Sequence, residues 1–506
     1  MNKATVIVDD QPIGTISPRL YGHFIEHLGR CCYGGLRAGP DTRADAVDGF
    51  RRDVVEALEG MPVPLIRWPG GCFADHYHWR NGIGAPPSRP VTLGMSCGLE
   101  VPDDNSMGTH EFLSLCEMLG AEPYLAANVG SGTVQEMCDW VEYVNGRAET
   151  ALTNERRANG RPDPWGVRLW GIGNESWDCG GRFDPVSYAN EYRRYASMLR
   201  HVDPRAELVA VGMEDEPLPE SRLDPQWNVK FLSALGPAVD LVDHLSVHRY
   251  WFHGGSETSF TEDDYYALLE DAAATESLVQ RTARTLASAA RPGHPIGIAL
   301  DEYGAWHAEA RSWGPGDVAR RTPVTFEQAG TLRDALAVGI ALEGFHRQCR
   351  VLSMANLAQM VNVLHSVIKT DGAACVRTPT YHAFALHKNH IGAEALQVGV
   401  EIEGAQPSHP RVGATASRQG RGTAVTLINS DYRHDFEVEI RADGYPSSAQ
   451  VLWADSPDAA NSITEPDAVS LKVLDMDGSR SGSCTVTMPA HSMATILFTA
   501  AGATGH

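Results

Sequence analysis

The sequence offers little that builds a nucleic-acid interface, a membrane span or a disulfide framework. Its basic residues never cluster beyond pairs such as Arg320-Arg321. There are 42 Lys and Arg against 64 Asp and Glu, a formal charge of −22. Grouped cations are what neutralise phosphate backbones, so no nucleic-acid partner is expected. A polyanionic substrate is disfavoured for the same reason, and a neutral one fits best. No apolar run approaches the ~18 residues of a transmembrane helix, so no membrane partner is expected. The opening MNKATVIVDDQPIG has neither the apolar core nor the small-residue cleavage site of an export signal. The ten cysteines are scattered without a CxxC pair. Together these traits lead us to expect a cytoplasmic protein with reduced thiols. No internal repeat or low-complexity tract occurs.

What is present is ordinary globular composition, 43% hydrophobic and 21% charged over 506 residues, enough to bury large cores without a metal. From about residue 20 to 385, short apolar runs alternate with helical stretches. The expected strands cover 21–27, 63–68, 122–129, 167–173, 207–212, 241–248, 296–301 and 350–355. The expected helices cover 44–59, 109–119, 134–145, 186–201, 264–290 and 328–346. Such alternation predicts parallel pairing through right-handed crossovers. Eight units predict an α/β fold, a (β/α)8 TIM barrel over 18–385. A doubly wound open sheet is the rival. Against it, no Gly-rich phosphate loop follows the first strand, and polar residues gather at the ends of many strands. After about 390, alternating runs such as AVTLINS, FEVEIRA and MATILFTA predict an appended antiparallel β-sandwich, jelly-roll-like. Residues 4–14 have the same pattern, so the second domain is expected to join 1–17 with 386–500. The final AGATGH is expected to fray.

Two carboxylates stand out. In Trp170-Gly-Ile-Gly-Asn-Glu-Ser-Trp177, Glu175 directly follows an apolar strand, where a barrel opens to its substrate. Asn174 can hydrogen-bond a substrate hydroxyl, and Trp177 can stack on a sugar face. A lone strand-end Glu more often caps a helix or pairs with Arg, but these neighbours favour a site. Glu302 ends another apolar strand, Ile298-Ala-Leu-Asp-Glu302, before Tyr303 and Trp306. By strand count the two acids end strands four and seven. Glycoside hydrolysis requires such a pair, one held protonated and one ionised. A gap of ~5–5.5 Å gives retention and a wider one inversion.

Other segments admit more than one chemistry. His23-Phe-Ile-Glu26-His27 spells H-x-x-E-H, an inverted zinc-peptidase string. That motif needs a helix, whereas flanking Gly22 and Gly29 and the pair Phe24-Ile25 suit a strand. A strand sets the two histidines ~13 Å apart. A zinc peptidase using His23, Glu26 and His27 is therefore the different-class alternative, and no metal is expected. In the strand reading Glu26 reaches the barrel top as a hydroxyl acceptor. Gly70-Gly71 lets the backbone approach a ligand, and Cys72 either lines the pocket or fills a buried gap. His76 and His78 lack partners at metal-ligand spacing. Asn128, His248, Tyr250, Gln359 and Asn362 also end strands, where each alone is more often structural. Tyr250 suits orientation of a nucleophile, and Gln359 binding of a sugar hydroxyl.

Assembled, these segments resemble the α-L-arabinofuranosidases of glycoside hydrolase family 51. The likeness rests on YGHFIEHLGRCCYGGL at 21–36, RWPGGCFADHYHWRNGIG at 67–84, WGIGNESWDCGG at 170–181 and MANLAQMVNVLHSVI at 354–368. It implies a retaining double displacement with Glu175 as acid/base and Glu302 as nucleophile. It places Glu26, Cys72, Asn174, Tyr250 and Gln359 around the furanose. It implies a small neutral oligosaccharide as substrate, no cofactor, and a homo-oligomer, often a hexamer. Three stretches depart from the pattern: Pro102-Asp103-Asp104-Asn105, where a pocket carboxylate is expected one methylene short; Tyr303-Gly304 after the nucleophile; and 308–327. These leave β-D-galactofuranosides as the alternative substrate, since a pocket rejects one added group only modestly.

Overall fold

Eight parallel strands close into a barrel in the computed structural model, which describes residues 2–39, 44–214, 223–403 and 411–499. In chain order they are Gly22–Phe24, Leu65–Trp68, Glu122–Ala127, Leu169–Ile172, Glu207–Val211, His244–Trp251, Gly297–Ala305 and Leu352–Ala358. Each pairs with the next, and the last with the first. All eight coincide with strands expected from the sequence. Their nearly continuous burial follows from covering both faces, the lumen and the helical shell. Leu65, Tyr124, Leu169, Val209, Ala299 and Met354 fill the lumen as a separate apolar cluster.

The helices follow the expected periodicity with informative exceptions. Thr109–Leu119 and Val134–Asn145 match their expected spans. The span 44–59 shrinks to a helix over Arg52–Glu59, preceded by the paired strands Ala46–Val47 and Phe50–Arg51. Gly49, at φ 80°, turns the chain between them. Helices Ala151–Ala158, Trp227–Leu235 and Pro379–His387 were not expected. Each is eight or nine residues long, too short for a clear apolar period.

The C-terminal strands form a ten-stranded sheet that also takes in Asn2–Thr15. That N-terminal strand runs antiparallel to Glu394–Ile402 and parallel to Phe436–Arg441. It is the one parallel pair of this sheet among the described residues, a departure from the antiparallel expectation. No hairpin ties it to its distant partner, so nothing fixes the antiparallel sense. The helix Leu332–Arg347 joins barrel to sandwich: His346 Nδ1 meets Thr415 Oγ1 at 2.9 Å. The final AGATGH lies outside the described residues. No described helix is long and apolar enough to cross a membrane.

Candidate active site

A cavity of about 560 Å³ opens at the C-terminal ends of the barrel strands. Glu26, Cys72, Glu175, Tyr250, Glu302 and Gln359 line it. Asn174, the remaining expected residue, sits behind them and is 2% exposed.

Glu175 leaves the fourth strand on a turn that its own sequence dictates. Gly173 takes φ 88°, and a Cβ there would lie 2.8 Å from Ser176 Oγ. Glu175 itself holds φ 38°, an uncommon value for a non-glycine residue. Its Oε1 meets His248 Nδ1 at 2.8 Å. Glu302 projects from the seventh strand. Arg67 donates to its Oε1 at 2.7 Å, and the Tyr250 hydroxyl to its Oε2 at 2.7 Å. The same guanidinium donates to Asn174 Oδ1 at 2.6 Å, tying the ends of strands two, four and seven together.

His248 bridges the two acids. Its Nδ1 lies 2.8 Å from Glu175 and 3.6 Å from Glu302, and its Nε2 3.4 Å from Asp301. Burial works against an imidazolium here, but Glu302, Asp301 and Glu175 outweigh it and push its pKa to about 10. One oxygen of Glu175 and one of Glu302 lie within 4.8 Å of each other. That matches the narrow gap of retaining glycosidases rather than the roughly 6.5–9.5 Å of inverting ones. Burial raises the proton affinity of Glu175; His248 opposes this and Glu302 adds to it. Burial likewise pushes Glu26 up to about 7, helped by the charge of Glu302.

Glu26 accepts from Ser96 Oγ at 2.7 Å, Phe73 N at 3.1 Å and Gln359 Nε2 at 3.1 Å. A Cβ on Gly71 would lie 2.8 Å and 2.9 Å from its two carboxylate oxygens. Gly71 therefore makes room for Glu26, where a direct approach of backbone to ligand was expected. Among the described residues Gln359 Oε1 is buried without a partner, which leaves an acceptor free for a ligand hydroxyl.

Two expectations need correction. Cys72 lines the cavity as half of a disulfide with Cys179, 107 residues away, and not as a reduced thiol. The turn after Glu175 brings the Cα atoms to 5.6 Å, within bridging range. Asp103 does not face the cavity: its carboxylate accepts from Tyr33 and pairs with His27 at 2.9 Å, fully buried. The H-x-x-E-H string is not helical, as its flanking glycines suggest; His27 is held by Asp103 and Trp68, while His23 packs on Phe384. The two histidines do not converge on a metal site.

In the sequence Arg67 reads as one more strand residue. An Arg inside a buried strand is itself a signal, since such a charge must find partners. His248 was noticed but discounted as structural. A strand order placing it between the two acids would have revealed it.

The comparisons agree with this geometry. Residues 57–270 match the family model Alpha-L-arabinofuranosidase 1 domain, and 301–492 the Alpha-L-arabinofuranosidase C-terminal domain. An "Intracellular exo-alpha-L-arabinofuranosidase" of Bacteroides ovatus is 37% identical over 508 residues, covering 97% of this chain and 95% of its own. The chain belongs to the α-L-arabinofuranosidases of glycoside hydrolase family 51. An "Intracellular exo-alpha-(1->5)-L-arabinofuranosidase" of Bifidobacterium longum is 29% identical, covering 97% of this chain and 91% of its own. The crystal structure of the GH51 arabinofuranosidase from Xanthomonas axonopodis pv. citri superposes with a TM-score of 0.88. It is 32% identical and covers 98% of this chain and 100% of its own. As an α-L-arabinofuranosidase, the chain is a glycoside hydrolase with a TIM barrel and an appended β-sandwich.

Proposed function

We propose that this arabinofuranosidase removes terminal non-reducing α-L-arabinofuranosyl residues from short oligosaccharides with retention of configuration. Glu302 attacks the anomeric carbon, displacing the glycosidic oxygen as Glu175 protonates it. Glu175 then takes a proton from water, which hydrolyses the glycosyl-enzyme. The observation that carries this reading is the close approach of the two carboxylates across His248. Arg67 and Tyr250 fix the attacking carboxylate, and Asn174 is aligned by Arg67. Esterification of Glu302 removes its negative charge, and with it one contribution that raises the proton affinity of Glu175. The acid of the first step thereby becomes a better base for the second. Glu26 and Gln359 supply acceptors for ring hydroxyls.

The test is turnover of an aryl α-L-arabinofuranoside. Glu302→Ala should lose activity by about 10⁴-fold or more. Azide should rescue Glu175→Ala on an activated substrate, with an azide product of the starting configuration. Full activity in Glu302→Ala would falsify the assignment. A panel with aryl β-D-galactofuranosides decides between the two furanoses. The reading includes a cytoplasmic enzyme acting on imported oligosaccharides, in keeping with the intracellular relatives. It also includes a homo-oligomer, hexameric by resemblance, which light scattering reads directly.

A further inference from the structure

Carboxylates predominate among the charges around the cavity, where the His248 imidazolium lies against Glu175 and Glu302. Five carboxylates line it: Glu26, Glu175, Asp178, Glu214 and Glu302. No Lys or Arg is among its described lining residues. Glu26, Glu175 and Glu302 belong to the sugar-binding and reacting centre proposed above. Glu214 does not. It follows the fifth barrel strand, which pairs with the fourth, the strand that carries Glu175. Trp177 Nε1 donates to Gly212 O at 3.0 Å and so ties the loops beyond these two strands together. The group that departs from the sugar must lie next to the acid that protonates it. Glu214 therefore stands on the leaving-group side.

Among the described residues its charge is not fully cancelled. Arg249 reaches Glu214 at 3.2 Å, but the same guanidinium donates to Asp271 at 2.6 Å. One cation serves two carboxylates, with His253 adding a second contact to Asp271 at 3.1 Å. Beside Glu214 and Asp178, this side is apolar and aromatic. Phe252 and Trp306 each meet Trp313 edge-to-face, at 5.6 Å and 5.1 Å, and Trp313 is 42% exposed. Arg311 stacks behind Phe252, and its guanidinium donates to the carbonyls of Trp306 and Trp313. A ligand here meets ring faces and two carboxylates: Asp178, largely in solvent and 3.8 Å from Arg182, and Glu214, more enclosed and sharing its cation.

We propose that Glu214 sets the charge selectivity of the leaving-group side, disfavouring aglycones that carry a carboxylate, such as uronates, and favouring neutral and amine-bearing ones. This rests on the arabinofuranosidase reading above. Three substrates test it: 3-(aminomethyl)phenyl, 3-(hydroxymethyl)phenyl and 3-(carboxymethyl)phenyl α-L-arabinofuranosides, at low salt and pH 8. Burial raises the proton affinity of Glu214 and Arg249 opposes this, so an alkaline pH favours its ionised form. Because intrinsic leaving-group reactivity differs, the quantity read is kcat/KM of variant over wild type for each substrate.

Glu214→Gln should raise kcat/KM for the carboxylate and lower it for the ammonium, each by about threefold, leaving the neutral substrate unchanged. That is about tenfold in the ratio, the scale of partly exposed ion pairs. Glu214→Lys should move the ratio further in the same direction, and 0.5 M NaCl should compress it. Thermal unfolding shows whether each variant is folded. Equal changes for all three substrates in both variants, or none, overturn the inference while leaving the arabinofuranosidase reading intact. A wild type inert toward all three overturns both.

Discussion

His248 is the side chain on which the proton balance of this site turns. Its positive charge lies against Glu175 and lowers that carboxyl's proton affinity. Replacing His248 with Asn removes the cation, so the pKa of Glu175 must rise. The limb of the pH–rate profile that reports deprotonation of the acid should move to higher pH by about one unit, with kcat falling about 10²-fold. A pH–kcat/KM series on an aryl arabinofuranoside measures both, and an unmoved limb would show that His248 only fills space. Gly71 makes a second prediction possible. Ala at this position puts a Cβ against both oxygens of Glu26, so that carboxylate must turn away from its place in the cavity wall. KM should rise about tenfold with a smaller loss in kcat, while thermal stability changes little. Both residues stood in segments singled out from the sequence. Their function was hidden because the sequence names neighbours along the chain, whereas each acts on a side chain from another strand.

The strand ends carry the chemistry, and their turns are specified locally. Gly173 is needed at φ 88° to swing Glu175 over the barrel mouth. Gly173→Ala should cost about 1–3 kcal/mol in urea unfolding, with a fall in kcat as Glu175 is displaced. An equally stable and equally active variant would show that the turn tolerates a side chain. The strands themselves were legible because each is a short apolar run bounded by Gly, Pro or polar residues. The helices Ala151–Ala158 and Trp227–Leu235 were not. Two turns give too few residues for a 3.6 period to stand out, and packing decides their conformation. The disulfide is of the same kind: Cys72 and Cys179 bear no motif, and only the closed barrel brings their strand-end loops together.

The join between barrel and sandwich is a source of pH dependence for the whole fold. Glu343, on the helix Leu332–Arg347, is 4% exposed and lies against Gly413 of the sandwich. Arg347 is 3.9 Å from it but is bound more closely by Glu276, at 2.7 Å. Burial pushes the Glu343 pKa up to about 7; Arg347 opposes this and Glu276 adds to it. A carboxyl whose folded pKa is raised stabilises the fold below its unfolded pKa, and that contribution is lost as pH rises through the folded value. Glu343→Gln cannot ionise, so it should gain about 1–3 kcal/mol relative to wild type between pH 5 and pH 8.5. Urea unfolding of both proteins at the two pH values measures this, and a pH-independent difference would count against it.

The sequence by itself determined the barrel, the sandwich and the two acids at the ends of strands four and seven. Strand and helix periods are local, and the family motifs around Glu175 and along 21–84 are continuous in the chain. Only the tertiary structure decided what surrounds those acids: Arg67 shared by Glu302 and Asn174, His248 between both acids, Asp103 turned inward, and Cys72 joined to Cys179. Each of these is a contact between segments far apart in the chain. Closing the sheet fixes which strand ends become neighbours, and no local pattern of residue types encodes that distance.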